Sequence, residues 1–98
     1  VKKLPEHVKI PHMGWNNLKI VRYNEIIEGL TDGSYVYFVH SYYPSPSNKD
    51  VIITKTKYGE NFPSILAYKN LYGTQFHPEK SGETGQIILE NFVKLLRR

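Results

Sequence analysis

The most regular pattern lies at Val51–Tyr58. There Val51, Ile53, Lys55 and Lys57 fall on one side of an extended backbone, and Ile52, Thr54, Thr56 and Tyr58 on the other. A period of two predicts a strand. Gly59-Glu60-Asn61 turns the chain into Phe62–Lys69, its expected partner, and Asn70 leads into a further short strand, Leu71–His77. Pro78 stops that strand, since proline has no N–H for a ladder. Residues 6–23 alternate more loosely through Val8, Ile10, Met13, Trp15, Leu18, Ile20 and Tyr23. Pro11 and Gly14 interrupt them, which predicts two extended pieces near 7–12 and 17–22 with an irregular corner between. Asn24–Gly33 reads as a short helical turn ended by Gly29 or by Asp32-Gly33. Ser34–Tyr43 is aromatic and β-branched on both faces, as a central buried strand is, and the Pro44–Asn48 stretch that follows reads as a loop.

From Ser81 onward the period lengthens. Ile88, Phe92, Leu95 and Leu96, with Leu89 and Val93, lay an apolar stripe along a C-terminal helix. Ser81 is placed to cap it, Glu83 sits in its first turn, and Lys94, Arg97 and Arg98 suit the negative end of its dipole. One helix covers one face of one sheet. A strand apolar on both sides needs cover on both, so part of the cover is expected from another stretch of polypeptide, and the chain reads as the interior of a longer one.

With 98 residues the chain has room for one small domain. It contains no cysteine, which excludes a disulfide scaffold, a thiolate metal site and a cysteine nucleophile of its own. Thirteen Lys and Arg against nine Asp and Glu give a net charge of +4, and 13% aromatics raise the question of nucleic acid. The cations are scattered, however, where a phosphate-tracking groove needs them clustered among stacking rings. No nucleic-acid partner is expected. No apolar run approaches the ~20 residues of a membrane span, and no apolar signal core follows Val1, so a cytoplasmic location without membrane contact is expected. The four histidines show no metal-ligand spacing, and neither metal nor cofactor is expected.

The sharpest chemical feature is Gln75-Phe76-His77-Pro78-Glu79-Lys80-Ser81. His77 and Glu79 are two apart, so on an extended backbone they point to one side, ~6–7 Å from each other. A carboxylate there can hold one imidazole nitrogen, fix its tautomer and leave the other free as a base. Pro78 stiffens the pair. The plain alternative is a surface His and a surface Glu in a strand-to-helix loop. Ser41, Thr74 and Ser81 are the nearby hydroxyls, and none sits in a Gly-x-Ser-x-Gly elbow. His12 and His40 read first as hydrogen-bonded, half-buried rings. Met13 and Trp15 fit either a core or an exposed docking knob.

Four segments occur in order: Pro11-His12-Met13-Gly14-Trp15-Asn16; Tyr37-Phe38-Val39-His40-Ser41-Tyr42-Tyr43; Gly73-Thr74-Gln75-Phe76-His77-Pro78-Glu79-Lys80-Ser81; and Gly85 with Asn91-Phe92. Together they resemble the C-terminal half of the glutaminase subunits of imidazole glycerol phosphate synthase, within the class I glutamine amidotransferases. The likeness runs from about Ile10 to the end. It implies an α/β fold of mixed, mostly antiparallel strands with a C-terminal helix, residues 1–98 forming a partial amidotransferase domain. It implies a Cys-His-Glu triad that hydrolyses glutamine through a thioester and passes ammonia to a (β/α)-barrel cyclase subunit in histidine biosynthesis. By motif, His77 and Glu79 are the triad's base and acid. Ser41 and Tyr42 fall near the glutamine, while His12, Met13, Trp15, Tyr37 and Lys80 fall where the family meets its cyclase. The nucleophile belongs to the family's N-terminal half, so this chain alone is expected to be inactive, and to self-associate or pair with that half. A half-amidotransferase of another pathway is the nearest alternative, and the Pro-His-Met-Gly-Trp-Asn corner argues against it. A basic nucleic-acid module is the remoter one.

Overall fold

The computed structural model describes residues 1–97. Arg98, expected at the negative end of the helix, lies outside the described residues. The strands are β1 (Lys2–Lys3), β2 (His12–Asn17), β3 (Lys19–Ile20), β4 (Tyr35–His40), β5 (Tyr42–Tyr43), β6 (Ile52–Tyr58), β7 (Glu60–Tyr68) and β8 (Leu71–Thr74), and helix α1 spans Gly82–Leu96. Short 3₁₀ turns occupy Glu25–Ile27, Lys49–Val51 and Pro78–Lys80. The alternating segments formed the strands their period demands. β6 and β7 close a hairpin over Gly59, which has φ +79° and can enter that region because it lacks a Cβ. β3, β6, β7 and β8 form one four-stranded sheet; β2 pairs with β4, and β1 with β5. All of these pairings are antiparallel.

The segment 12–17 departs from the sequence expectation. It is not an irregular corner but a six-residue strand in continuous register with β4, from His12 opposite His40 to Asn17 opposite Tyr35. Gly14 sits inside it at φ +124°, a conformation open to glycine, so the residue that looked like a breaker is absorbed into the pairing. The 3₁₀ turn at Glu25–Ile27 lies where a helical turn was expected, capped by the Asn24 side chain, which accepts from the Ile26 N–H at 2.9 Å.

The core gathers Leu18, Ile26, Val36, Phe38, Phe62, Ile65, Phe76 and Ile88 from every part of the chain. Phe38 meets Phe62 and Phe76 edge-on, with centroids 5.6 and 5.8 Å away. Each such buried ring contributes ~2–3 kcal/mol of apolar transfer. β4 alternates as a half-buried strand: Val36 and Phe38 face the core, while Tyr35, Tyr37 and Val39 face outward. The double-sided apolar run therefore has one face covered and one bare.

Helix α1 docks by part of the apolar stripe, Ile88 with Leu95 against the core, and by two residues the stripe did not mark. Its buried residues are Gly85, Ile88 and Asn91, whereas Leu89, Phe92, Val93 and Leu96 stay exposed. The Asn91 amide donates to the carbonyls of Ile26 (3.0 Å) and Glu28 (2.9 Å), tying the helix to the 3₁₀ turn. None of the described helices is long and apolar enough to cross a membrane.

Candidate active site and docking face

After β8 the chain runs alongside β4 for two residues. Phe76 bridges Phe38 in antiparallel fashion, and the His77 N–H donates to the Tyr37 carbonyl at 3.0 Å. The backbone then tightens into the 3₁₀ turn Pro78–Lys80, with proline in its first turn, where no N–H is needed. That turn brings His77 Nδ1 to 3.3 Å from Glu79 Oε2. The carboxylate can only accept, so Nδ1 carries the proton when the ring is neutral and Nε2 keeps its lone pair. Both side chains are open to solvent, at 43% and 61% exposure. The ring is thus oriented on one side and accessible on the other.

Ser81, expected as a helix cap, stands at the N-cap position, but its side chain makes no cap bond. Its hydroxyl turns back, donating to the His77 carbonyl at 2.6 Å and accepting from the Tyr37 N–H at 2.9 Å. Gly85 lets α1 press against the same turn: a Cβ added there would stand 1.8 Å from the Pro78 carbonyl oxygen. Composition gave no hint of either role. The recurrence of a small residue one turn past Ser81 was the available signal.

Beside this turn lies the bare face of the β2–β4 pair. Register places Met13 opposite Val39 and Trp15 opposite Tyr37. Met13 and Trp15 are 61% and 56% exposed. The Trp15 ring stands edge-on to Tyr37, centroids 5.9 Å apart, and reaches over Gly82 at the start of α1. Lys80 is exposed on the adjoining turn. Met13, Trp15 and Tyr37 thus border one surface.

His12 does not join them. It is 3% exposed and faces the interior, its ring sandwiched between Phe38 (4.6 Å) and Tyr58 (3.9 Å). The period-two alternation of β2 sends it to the opposite side from Met13 and Trp15. Its Nδ1 lies 2.9 Å from His40 Nε2, so the hydrogen-bonded reading of these two rings describes them better than an interface role. His40 Nδ1 in turn lies 3.0 Å from the Tyr42 carbonyl. Ser41 and Tyr42 follow β4 at the end away from His77. Ser41 is four residues beyond Tyr37, ~13 Å along an extended chain. Tyr42 is exposed and Ser41 half-buried. Among the described residues no three His, Asp or Glu side chains converge on a metal-sized site.

The sequence that builds these antiparallel strands, the closing helix and the His-Pro-Glu turn between them matches the family model for class-I glutamine amidotransferases over residues 2–96, and the chain belongs to that family. Within it, three relatives share about half of their aligned residues with this chain. The chain is 52% identical over 96 residues to the imidazole glycerol phosphate synthase subunit HisH of Methanocaldococcus jannaschii, covering 98% of this chain and 48% of the relative. It is 53% identical to HisH 1 of Methanococcus maripaludis, covering 98% and 47%, and 52% identical to HisH of Archaeoglobus fulgidus, covering 100% and 50%. The chain spans about half the length of the curated relatives it matches.

Proposed function

We propose that this chain is part of a glutamine amidotransferase domain and supplies the base and acid of a Cys-His-Glu triad, glutamine being hydrolysed to glutamate and ammonia. The observation that carries this reading is the 3.3 Å contact between His77 Nδ1 and Glu79 Oε2, which leaves Nε2 free on an accessible ring. The cysteine comes from polypeptide outside these residues, since the chain has none. His77 Nε2 takes the thiol proton, and the thiolate attacks the glutamine amide carbon. His77 returns the proton to the departing nitrogen as ammonia leaves. It then takes a proton from water, whose oxygen attacks the thioester and regenerates the thiol. Glu79 holds the ring's orientation and stabilises the imidazolium formed in each half-reaction.

Ser41 and Tyr42 hold the amino-acid end of glutamine at the far end of β4. Met13, Trp15, Tyr37 and Lys80 form the face that meets a (β/α)-barrel cyclase, which uses the ammonia in making imidazole glycerol phosphate. The enzyme names of the relatives support this destination, and the exposed aromatic surface beside the His77 turn supports its location.

The test is a chimera in which residues 2–97 replace the aligned half of the Methanocaldococcus jannaschii subunit, assayed for glutamate release with its cyclase present. The chimera should hydrolyse glutamine. His77→Asn should lower kcat by ~10³-fold or more, and Glu79→Gln by ~10–100-fold, the base mattering more than its orienting group. A folded chimera in which His77→Asn leaves glutamate release unchanged removes His77 from the mechanism.

A further inference from the structure

Both backbone polar groups of His77 are tied to both backbone polar groups of Tyr37. The His77 N–H donates directly to the Tyr37 carbonyl at 3.0 Å. The return path runs through one hydroxyl: the Tyr37 N–H donates to Ser81 Oγ at 2.9 Å, and Ser81 Oγ donates to the His77 carbonyl at 2.6 Å. The result is a closed ring of three hydrogen bonds between a strand and a turn. Ser81 is 2% exposed, so water does not compete for it. A hydroxyl with one proton can serve one acceptor and one donor at once, which is the number of partners it has here.

The ring replaces a ladder that ends. Beyond the Phe38–Phe76 bridge the chain bends at Pro78 and cannot continue beside β4. Without Ser81 the Tyr37 N–H would lose this partner, and the His77 carbonyl would keep only the N–H of Lys80, at 3.0 Å. His77 holds φ −97° and ψ 100°, within the extended region to which the following Pro78 confines it, and the hydrogen-bonded ring sets its place within that region. We infer that the Ser81 hydroxyl is a positioning residue for glutamine hydrolysis: by closing the ring with Tyr37 it sets the backbone of His77, and through it the direction of the imidazole toward the incoming thiol.

This rests on the role proposed for His77, and on a hydroxyl that touches neither substrate nor reacting atoms. Tyr37 also carries Trp15 on its ring, so the same strand residue borders the docking face and anchors the base. A displacement of the base by ~1 Å is enough to cost ~10²-fold in rate, because the reacting atoms must sit near contact distance.

The experiment uses the chimera described above with Ser81→Ala and Ser81→Cys. The first removes the hydroxyl; the second fills the same space with a thiol that donates and accepts poorly. Both should lower kcat for glutamine hydrolysis by ~10-fold or more while KM changes less than twofold. Amide exchange at Tyr37 should accelerate while exchange in β6 and β7 stays unchanged. Full activity with Ser81→Cys beside a loss with Ser81→Ala assigns the effect to volume and overturns the proposal. Wild-type kcat in both variants overturns it as well, as does a slow Tyr37 amide in both. Should Ser81→Ala not fold, Ser81→Cys decides alone. An inactive parent chimera instead counts against the triad, and the exchange of the Tyr37 amide then still tests the Ser81 ring.

Discussion

Two imidazoles joined by one hydrogen bond cannot choose their protons independently. His40 Nδ1 faces the Tyr42 carbonyl at 3.0 Å, which only accepts, so this nitrogen carries a proton. In the neutral ring Nε2 is then bare and accepts from His12 Nδ1 at 2.9 Å. His12 Nε2 is left to accept from the Asn16 amide at 3.3 Å. The chain runs Asn16 to His12 to His40 to the Tyr42 carbonyl with both rings neutral, and a further proton on either ring breaks a link. Burial, with the neighbouring His40 ring second, pushes His12 down to about 4, and burial also lowers His40. An unfolded histidine titrates near 6.5. As pH falls from 6.5 toward 4 the unfolded chain binds protons that the folded chain refuses, so this contribution to stability is complete above 6.5 and is lost on acidification. The slope is at most ~1.4 kcal/mol per pH unit for each ring. Urea midpoints should therefore be lower at pH 5 than at pH 7. An equal midpoint at the two values would show that the pair is not held neutral. The added proton on His40 falls on Nε2, so acid breaks its link to His12 and leaves the bond to the Tyr42 carbonyl in place.

At the scale of elements, a glycine and an asparagine join Ile88 in placing α1. Alanine is the better helix former by ~1 kcal/mol, so propensity alone favours Gly85→Ala. Contact reverses the sign: the added Cβ would fall 1.8 Å from the Pro78 carbonyl oxygen, 2.7 Å from its carbon and 3.0 Å from Ser81 Cβ. Backbone cannot swing aside as a flexible side chain can, so the helix and the His-Pro-Glu turn must part. Gly85→Ala should cost ~2 kcal/mol in chemical denaturation, against less than ~0.5 kcal/mol for Gln86→Ala on the exposed side. In the chimera it should also lower glutaminase activity, and full activity would show that the turn tolerates the shift. The same element shows what the sequence could reveal. β6, β7 and β8 were legible because each carries its own alternation and its own turn residues. The His77–Glu79 pairing was legible because proline limits the turn between them. β2 was not, because Pro11 and Gly14 are local breakers and only the non-local partner β4 makes the segment extended. The docked face of α1 was legible only in Ile88 and Leu95, because hydrophobic periodicity registers apolar side chains, whereas Gly85 and Asn91 act by close approach and by hydrogen bonds to carbonyls. The inward turn of His12 followed from the same misread strand: without a register, no side could be assigned to it.

Across the whole molecule, the core is complete on one side of each layer and absent on the other. The β2–β4 pair leaves Met13, Trp15, Tyr35 and Val39 bare, and α1 leaves Leu89, Phe92, Val93 and Leu96 bare. The first surface reaches Gly82 through Trp15, and Gly82 and Leu89 line a common cavity. The first adjoins the His77 turn and fits the cyclase-facing role proposed above. The second lies on a helix face with charged residues beside it, and apolar patches of this kind drive association unless covered. In the intact relatives, which are about twice as long, further polypeptide is available to cover it. In the isolated 98-residue chain the only apolar surface on offer is that of another copy, so sedimentation velocity should show concentration-dependent self-association at tens of micromolar. The double substitution Leu89→Glu with Val93→Lys tells the helix face from the β2–β4 face. It places opposite charges at i and i+4, an arrangement that supports an isolated helix by ~0.2–0.5 kcal/mol. Both side chains are already substantially exposed, so the fold should keep its stability within ~0.5 kcal/mol. The variant should sediment as a monomer where the parent does not. If it remains folded and still associates, the contact runs through the β2–β4 face, and Trp15→Glu should then abolish it.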